Sequence, residues 1–234
     1  MIRAVLAGGR SKRFGKDKLL ALVDGKTSIE RIIENIGPDV LITTSVERCR
    51  LYWNGPCIID QGEGPAEAVL ELSGEAIVVP GDMPWLKGTT IEALKSFADV
   101  LDAEIALPLF DETVDFSIMY IRNVDKLKWL KRAKRRSLRM TDLVRAGGRV
   151  ALIGSRLLTR DDREWAHLNT PLALKTMDVK DKPSYKIITF ETSFNPFETD
   201  EDEVILYRRL GLKQLEVHAL KDLSLRRARV RGAV

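Results

Sequence analysis

Up to residue 110, short apolar runs alternate with segments of helical period, the pattern of a parallel sheet covered by helices. The runs that read as strands are 2–6, 40–44, 57–60, 76–80 and 104–108. Between the first two, Ile29, Ile32, Ile33 and Ile36 recur at i, i+3, i+4 and i+7, and Thr27 with Glu30 supplies a capping box just ahead of them, which predicts an amphipathic helix. Pro65 suits the first turn of a second helix carrying Ala66, Val69, Leu70 and Leu72, and Thr89 with Glu92 predicts the cap of a third. After Pro108 the period shifts. Asp111-Glu112 reads as a turn between strands at 105–110 and 114–121, followed by helical patterns at 125–134 and 138–145, a strand at 150–154 and a helix starting at Pro171. Beyond Asp178 a strand at 185–191 and an acidic stretch leading into a helix near 204–210, ended by Gly211, suggest a separate unit. The expected division is a main domain at 1–177 and a C-terminal appendage at 178–234.

Composition narrows the class. The chain has 234 residues, 44% apolar and 31% charged, the balance of a globular protein able to bury a core. No apolar run approaches the roughly 20 residues that span a bilayer, so no membrane association is expected. The chain opens at once on a strand, without the charged and apolar regions of a signal peptide, which predicts a cytoplasmic location. Cys49 and Cys57 show no metal-ligand spacing and are expected to be partly buried free thiols. The net charge of +4 favours anionic partners without choosing among a nucleotide, a phosphorylated metabolite and RNA. The basic stretch 122–139 reads first as a solvated helix face with Trp129 in the core, and nucleic acid is the less favoured partner. Arg226, Arg227, Arg229 and Arg231 read as a frayed basic tail.

In an open parallel sheet, ligands bind beyond the carboxyl ends of the strands, and three segments of chemical interest lie there. The first follows strand 2–6: Gly8 and Gly9 let backbone N–H groups approach phosphate oxygens, and Lys12, Arg13, Lys16 and Lys18 surround them with cations. It is neither a Walker A loop nor the G-x-G-x-x-G fingerprint. The second ends strand 76–80 in Gly81-Asp82-Met83-Pro84, where a carboxylate held by glycine and prolines suits a hard cation; taken alone, such an Asp more often begins a turn, and the glycine-rich segment beside it reverses that weighting. The third, His167-Leu168-Asn169-Thr170-Pro171, offers a helix N-cap at Thr170 and leaves Asn169 to face a ligand.

These segments, in this order, resemble the MobA family of molybdenum cofactor guanylyltransferases in the GT-A-like nucleotidyltransferase superfamily. The resemblance covers roughly residues 1–177, and its first motif, L-A-G-G-x-S-x-R-x-G-x-x-K, is matched at every fixed position from Leu6 to Lys18. It implies an α/β fold: a three-layer, mostly parallel sheet, Rossmann-like and of GT-A type, with a small C-terminal α+β appendage. It also implies that Leu6, Ala7, Gly8 and Gly9 line a guanine nucleotide, that Lys18 contacts its phosphates, that Arg13 holds departing pyrophosphate, and that Asp82 carries Mg²⁺. Thr43 and Asp60 would add nucleotide contacts. His167 and Asn169 would face the acceptor, and the substrates would be GTP and a phosphorylated pterin, molybdopterin.

The chain departs from the pattern at four places. Gly64-Pro65 continues as Ala66-Glu67-Ala68 rather than Leu-Ala-Gly, His167 stands where the family commonly has Asn, Thr43 replaces a frequent Asn, and Leu172-Ala173 replaces an acidic pair. These changes bear on the acceptor. A guanylyltransferase for adenosylcobinamide phosphate, a non-catalytic nucleotide-binding protein and an RNA-binding protein are the competing readings.

Overall fold

The computed structural model describes residues 1–8, 17–61, 63–111, 113–168 and 182–232. In chain order the elements are β1 (Ile2–Leu6), a 3-10 turn (Lys18–Leu20), the hairpin β2 (Leu22–Val23) and β3 (Lys26–Thr27), α1 (Ser28–Ile36), β4 (Val40–Thr43), α2 (Val46–Tyr52), β5 (Cys57–Ile59), α3 (Pro65–Val69), β6 (Ala76–Pro80) and α4 (Gly88–Val100). There follow β7 (Ile105–Leu109), β8 (Met119–Ile121), a 3-10 turn (Val124–Leu127), α5 (Trp129–Ala133), α6 (Met140–Arg145), β9 (Arg149–Gly154), α7 (Ser155–Leu158), a 3-10 turn (Asp162–Trp165), β10 (Ile187–Glu191), α8 (Glu201–Arg209) and α9 (Lys213–Gly232).

Eight strands form one sheet in the order β10-β9-β7-β8-β6-β1-β4-β5. All run one way except β8, antiparallel to β6 and β7, and β10, antiparallel to β9. The central strands are buried on both faces, so residues alternate between two cores. Ala4 and Val78 join Val69, Leu143, Tyr207, Leu215 and Ala219 on one side. Val5, Ile77 and Val79 join Ile29, Ile32, Ile91 and Leu94 on the other. The result is the expected three-layer α/β arrangement, with α8 and α9 built into one outer layer.

From β1 the chain adds β4 and then β5 on one side and returns to place β6 on the other. The strand order therefore reverses between β1 and β6. Loops leaving the carboxyl ends of those two strands diverge and leave a crevice, the place where sheets of this kind bind ligands.

Local expectations meet mixed outcomes, each for a physical reason. α1 starts on its capping box, with Thr27 N donating to Glu30 Oε2 at 2.7 Å and Glu30 N donating to Thr27 Oγ1 at 3.3 Å, and it stops at Gly37 in the left-handed region, φ 59°. α4 does not begin at a Thr89 cap: Thr89 lies inside the first turn, and Lys87 is the cap residue without a side-chain bond. Its N-terminus is served instead by Glu164, which accepts from Lys87 N at 3.0 Å and Thr90 Oγ1 at 2.5 Å, placing negative charge where the helix dipole favours it.

The cysteines correct another expectation. α2 folds back along β5 and brings the Cα atoms of Cys49 and Cys57 to 6.3 Å, and the two are joined as a disulfide, within the range a bridge can close. Trp129 is 38% exposed rather than core, because α5 is too short to bury a second face. The basic stretch around it is a surface of ion pairs, Lys126 with Glu104, Lys131 with Glu71, and Lys134 with Glu63 at 2.9 Å.

The arginines read as a frayed tail lie in the last turns of helix α9, with Arg226, Arg227 and Arg229 exposed, while the helix packs earlier through Leu215, Ala219 and Leu223, which fall at i, i+4 and i+8 and are buried. β10, from the segment expected to be separate, forms an edge of the same sheet. The helix expected from Pro171 lies outside the described residues. Among the described residues no helix is long and apolar enough to cross a membrane.

Candidate functional site

At the β1/β6 crevice Leu6 pairs with Pro80, and Gly81 N donates to Leu6 O at 2.9 Å. A Cβ on Gly81 would meet Leu6 O at 3.2 Å, Ile29 Cδ1 at 3.3 Å and Leu19 Cδ2 at 3.4 Å. Glycine therefore lets the strand end close against its neighbour and deliver Asp82 just beyond it. α1 holds the turn from behind, with Ser28 Oγ donating to Gly81 O at 3.0 Å and Asn35 Nδ2 to Pro84 O at 3.0 Å. Asp82 thus projects from a supported base rather than a free loop.

A cavity of about 240 Å³ opens here, lined by Leu6, Gly8, Lys18, Leu19, Ile42, Asp60, Pro65, Pro80 and Asp82. Five of the residues picked out from sequence, Leu6, Gly8, Lys18, Asp60 and Asp82, share this wall. Three others, Ala7, Thr43 and His167, do not line it. Ala7 is fully buried, its N–H bonded to Ile42 O at 2.8 Å; Thr43 is buried with its hydroxyl donating to Ser45 O at 3.0 Å. Asp60 Oδ1 accepts from Gly64 N at 3.0 Å, bracing the turn into α3, where Gly64 has φ 114°. Gly9, Arg13 and Asn169 lie outside the described residues.

The Lys18 ammonium donates to Asp82 Oδ2. On its other oxygen, Asp82 faces His167 Nδ1 at 3.4 Å, and His167 Nε2 lies 3.0 Å from Asp115 Oδ2. Leu168 N donates to Asp82 O at 2.9 Å and so sets His167 in place. Asp115 Oδ1 accepts from Ser117 N at 2.9 Å and Ser117 Oγ at 2.5 Å.

An imidazole between two carboxylates is driven toward its doubly protonated form. Burial alone would lower the His167 pKa, but the bonds and charges of Asp115 and Asp82 outweigh it and raise it to about 10. Burial alone would raise Asp82, yet His167 and Lys18 pull it down to about 2. Asp115 is likewise held below the usual carboxylate range, its burial outweighed by His167 and Ser117. The crevice holds a partly buried mosaic of two carboxylates and two cations.

Asp82 is the described side chain suited to a hard cation. Among the described residues no group of three or more His, Cys, Asp or Glu is arranged to hold a metal. One ionised carboxylate in the cavity wall nevertheless fits an ion such as Mg²⁺, which takes one or two protein carboxylates and completes its shell with water and substrate phosphates.

A model of the MobA-like NTP transferase domain matches residues 4–227. The chain belongs to this family. The match runs through β10 and α8 into α9, so it covers the C-terminal layer as well as the crevice. A probable molybdenum cofactor guanylyltransferase of Aquifex aeolicus (strain VF5) is 36% identical over 97 residues, 37% of this chain and 48% of the relative. One of Thermococcus kodakarensis is 42% identical over 96 residues, again 37% and 48%. The chain thus spans about half the length of the curated relatives it matches. The crystal structure of molybdopterin-guanine dinucleotide biosynthesis protein A from Archaeoglobus fulgidus superposes with a TM-score of 0.63 at 23% identity, covering 75% of this chain and 95% of that one; it shows the shared fold.

In this member of the MobA-like family, sequence reasoning missed Asp115, which sits within the run 114–121 read as a strand. An acid inside an otherwise apolar run was the signal that could have found it. It also missed Asp17, whose carboxylate takes bonds from Arg48 and Tyr52 of α2. Glu67, at the altered Gly-Pro turn, is buried with Oε1 accepting from Leu138 N at 2.8 Å and Oε2 without a hydrogen-bond partner among the described residues.

Proposed function

We propose that this chain is a magnesium-dependent nucleotidyltransferase that moves GMP from GTP to the phosphate of a pterin, molybdenum-bearing molybdopterin, making a guanine dinucleotide. The observation that carries the reading is the meeting of Lys18 and Asp82 at the β1/β6 crevice, one residue from each of two motifs, in a cavity that Gly8 and Asp60 also line. Family membership and the names of the relatives in the two genera above support the base and the acceptor.

An acceptor phosphate oxygen attacks the α-phosphorus of GTP, the bond to the β-phosphate oxygen breaks, and pyrophosphate leaves. The nucleophile is already an anion, so no general base is required. What the protein must supply is alignment and relief of charge repulsion. Mg²⁺ held at Asp82 would neutralise phosphate oxygens. The backbone at Gly8 approaches the phosphates, and the Lys18 ammonium stabilises charge at the reacting phosphorus. Leu6 and Asp60 face the nucleoside, Asp60 as an acceptor for guanine or ribose. His167, its two ring nitrogens held by Asp82 and Asp115, brings a positive charge toward the acceptor phosphate. Arg13 and Asn169 are assigned to pyrophosphate and acceptor respectively, and the cytoplasm, where GTP is available, is the place of action.

The test is incubation of the purified protein with GTP, Mg²⁺ and either molybdenum-molybdopterin or adenosylcobinamide phosphate, following pyrophosphate release. Release with the pterin is expected. Release only with the cobinamide would reassign the acceptor, and release with neither would refute the transferase reading.

A further inference from the structure

Helix α2 carries two side chains that no motif explains, Arg48 and Tyr52. Arg48 Nη2 donates to Asp17 Oδ2 at 2.6 Å, its Nη1 donates to Thr44 Oγ1 at 3.1 Å, and its Nε donates to the Tyr52 oxygen at 2.9 Å. The Tyr52 hydroxyl donates to the same Asp17 oxygen, and the guanidinium carbon lies 5.6 Å from the centre of the Tyr52 ring. Tyr52 is buried, while Arg48 and Asp17 are shielded to 24% and 20% side-chain exposure. The cluster is an inward-facing arrangement rather than a surface ion pair.

One partner, Asp17, leads directly into Lys18, and the other, Thr44, lies four residues before Arg48. Thr44 packs beside Gly8, where a Cβ would stand 3.5 Å from Thr44 Cγ2. Asp17 is the residue before Lys18, and its Oδ1 caps the Lys18–Leu20 turn by accepting from Leu19 N at 3.2 Å. A single guanidinium therefore holds the residue that caps the Lys18 turn. The base is firm, because Cys49, the residue after Arg48, is bonded to Cys57 on β5, and β5 leads to Asp60 in the cavity wall.

We infer that Arg48, with Tyr52, is a positioning residue that holds Asp17 and through it the register of Lys18, so that the triphosphate meets a Lys18 already set in place. The inference rests on the nucleotidyltransferase reading. Ordering a contact residue before the ligand arrives removes an ordering cost from binding. A Lys18 turn released from this hold is competent only part of the time, and apparent affinity falls by that fraction. The expected signature is a raised KM for GTP with kcat at saturation little changed.

Two measurements test this on the full chain with its disulfide intact, using Arg48→Gln, the conservative Arg48→Lys, and Tyr52→Phe, which removes only a hydroxyl. The first is hydrogen exchange over residues 17–21 without nucleotide. Faster exchange is expected in Arg48→Gln and Tyr52→Phe, with recovery in Arg48→Lys; wild-type exchange in both would overturn the clamp. The second is binding of a fluorescent GTP analogue with Mg²⁺, where Arg48→Gln is expected to weaken affinity about tenfold, as a competent fraction near one tenth gives. Faster exchange with unchanged affinity would leave a merely structural contact and overturn the positioning role. If wild type itself binds no GTP, the transferase reading fails and takes the positioning role with it, while the exchange data still decide whether the clamp exists.

Discussion

Arg145 is fully buried, and replacing it with leucine isolates one large energetic effect. Its Nε and Nη2 donate to Glu203 Oε1 and Oε2 at 2.6 and 2.9 Å, its Nη1 to Asp222 Oδ2 at 2.6 Å and Asp142 Oδ1 at 3.3 Å, and Nη2 also to Thr199 Oγ1 at 2.5 Å. The carboxylates do not suffer equally when it is removed. Asp142 and Asp222 keep Arg136, at 2.6 and 2.7 Å. Among the described residues, Glu203, with no exposed side-chain surface, keeps only the Tyr207 hydroxyl at 3.2 Å.

Breaking a buried pair from one side costs about 3–5 kcal/mol, because the remaining charge has neither water nor partner. Of a typical total of about 5–15 kcal/mol, that is a substantial fraction. At about 2–4 °C per kcal/mol for a chain of this size, the midpoint should drop by roughly 6–20 °C. Thermal and urea unfolding followed by circular dichroism read the loss directly. Adding Glu203→Leu to Arg145→Leu removes the orphaned charge and should recover more than half of it, since apolar replacement of a whole buried pair is often neutral. A loss below about 1 kcal/mol, or no recovery in the double variant, would refute the claim that this network locks α8 and α9 onto α6.

Other expectations are narrower. Replacing both Cys49 and Cys57 with serine frees a loop of sequence separation 8; chain entropy gives a loss of about 2.5 kcal/mol, read as a lower denaturation midpoint, and a midpoint equal to that of wild type would mean the bridge contributes nothing. His167, raised from 6.5 to about 10 by its carboxylates, binds more protons folded than unfolded between those values. Its contribution is therefore complete below pH 6.5 and lost as pH rises through about 10. Urea midpoints should fall more steeply between pH 7 and 10 in wild type than in His167→Asn, and parallel curves would contradict the assignment.

Much of the sheet was legible because its evidence is local. Strands buried on both faces read as apolar runs, and α1 announces itself through its isoleucine spacing and capping box. The site was legible where it lies at strand ends, since the ends of β1 and β6 are visible in sequence and the reversal of strand order puts them together. What escaped depends on distant partners. Glu164 caps α4 from 77 residues beyond Lys87, and Asp115 acquires a role only when His167 folds against it. The disulfide depends on α2 turning back along β5. The arginine density of α9 obscured the Leu215, Ala219 and Leu223 stripe that packs it, and Arg48 looked like any surface charge until Asp17 and Thr44 were placed on either side of it.

The central claim is that Lys18 and Asp82 form the working wall of a metal-assisted GMP transfer. It is tested most directly by following labelled GMP from GTP to the pterin acceptor, with and without Mg²⁺, in wild type and Asp82→Ala, with unfolding curves to confirm that both are folded. The account expects Mg²⁺-dependent transfer in wild type and a loss of at least about 100-fold in the variant, the scale of removing one transition-state charge contact. A folded Asp82→Ala protein that transfers GMP at a near wild-type, magnesium-dependent rate would contradict it.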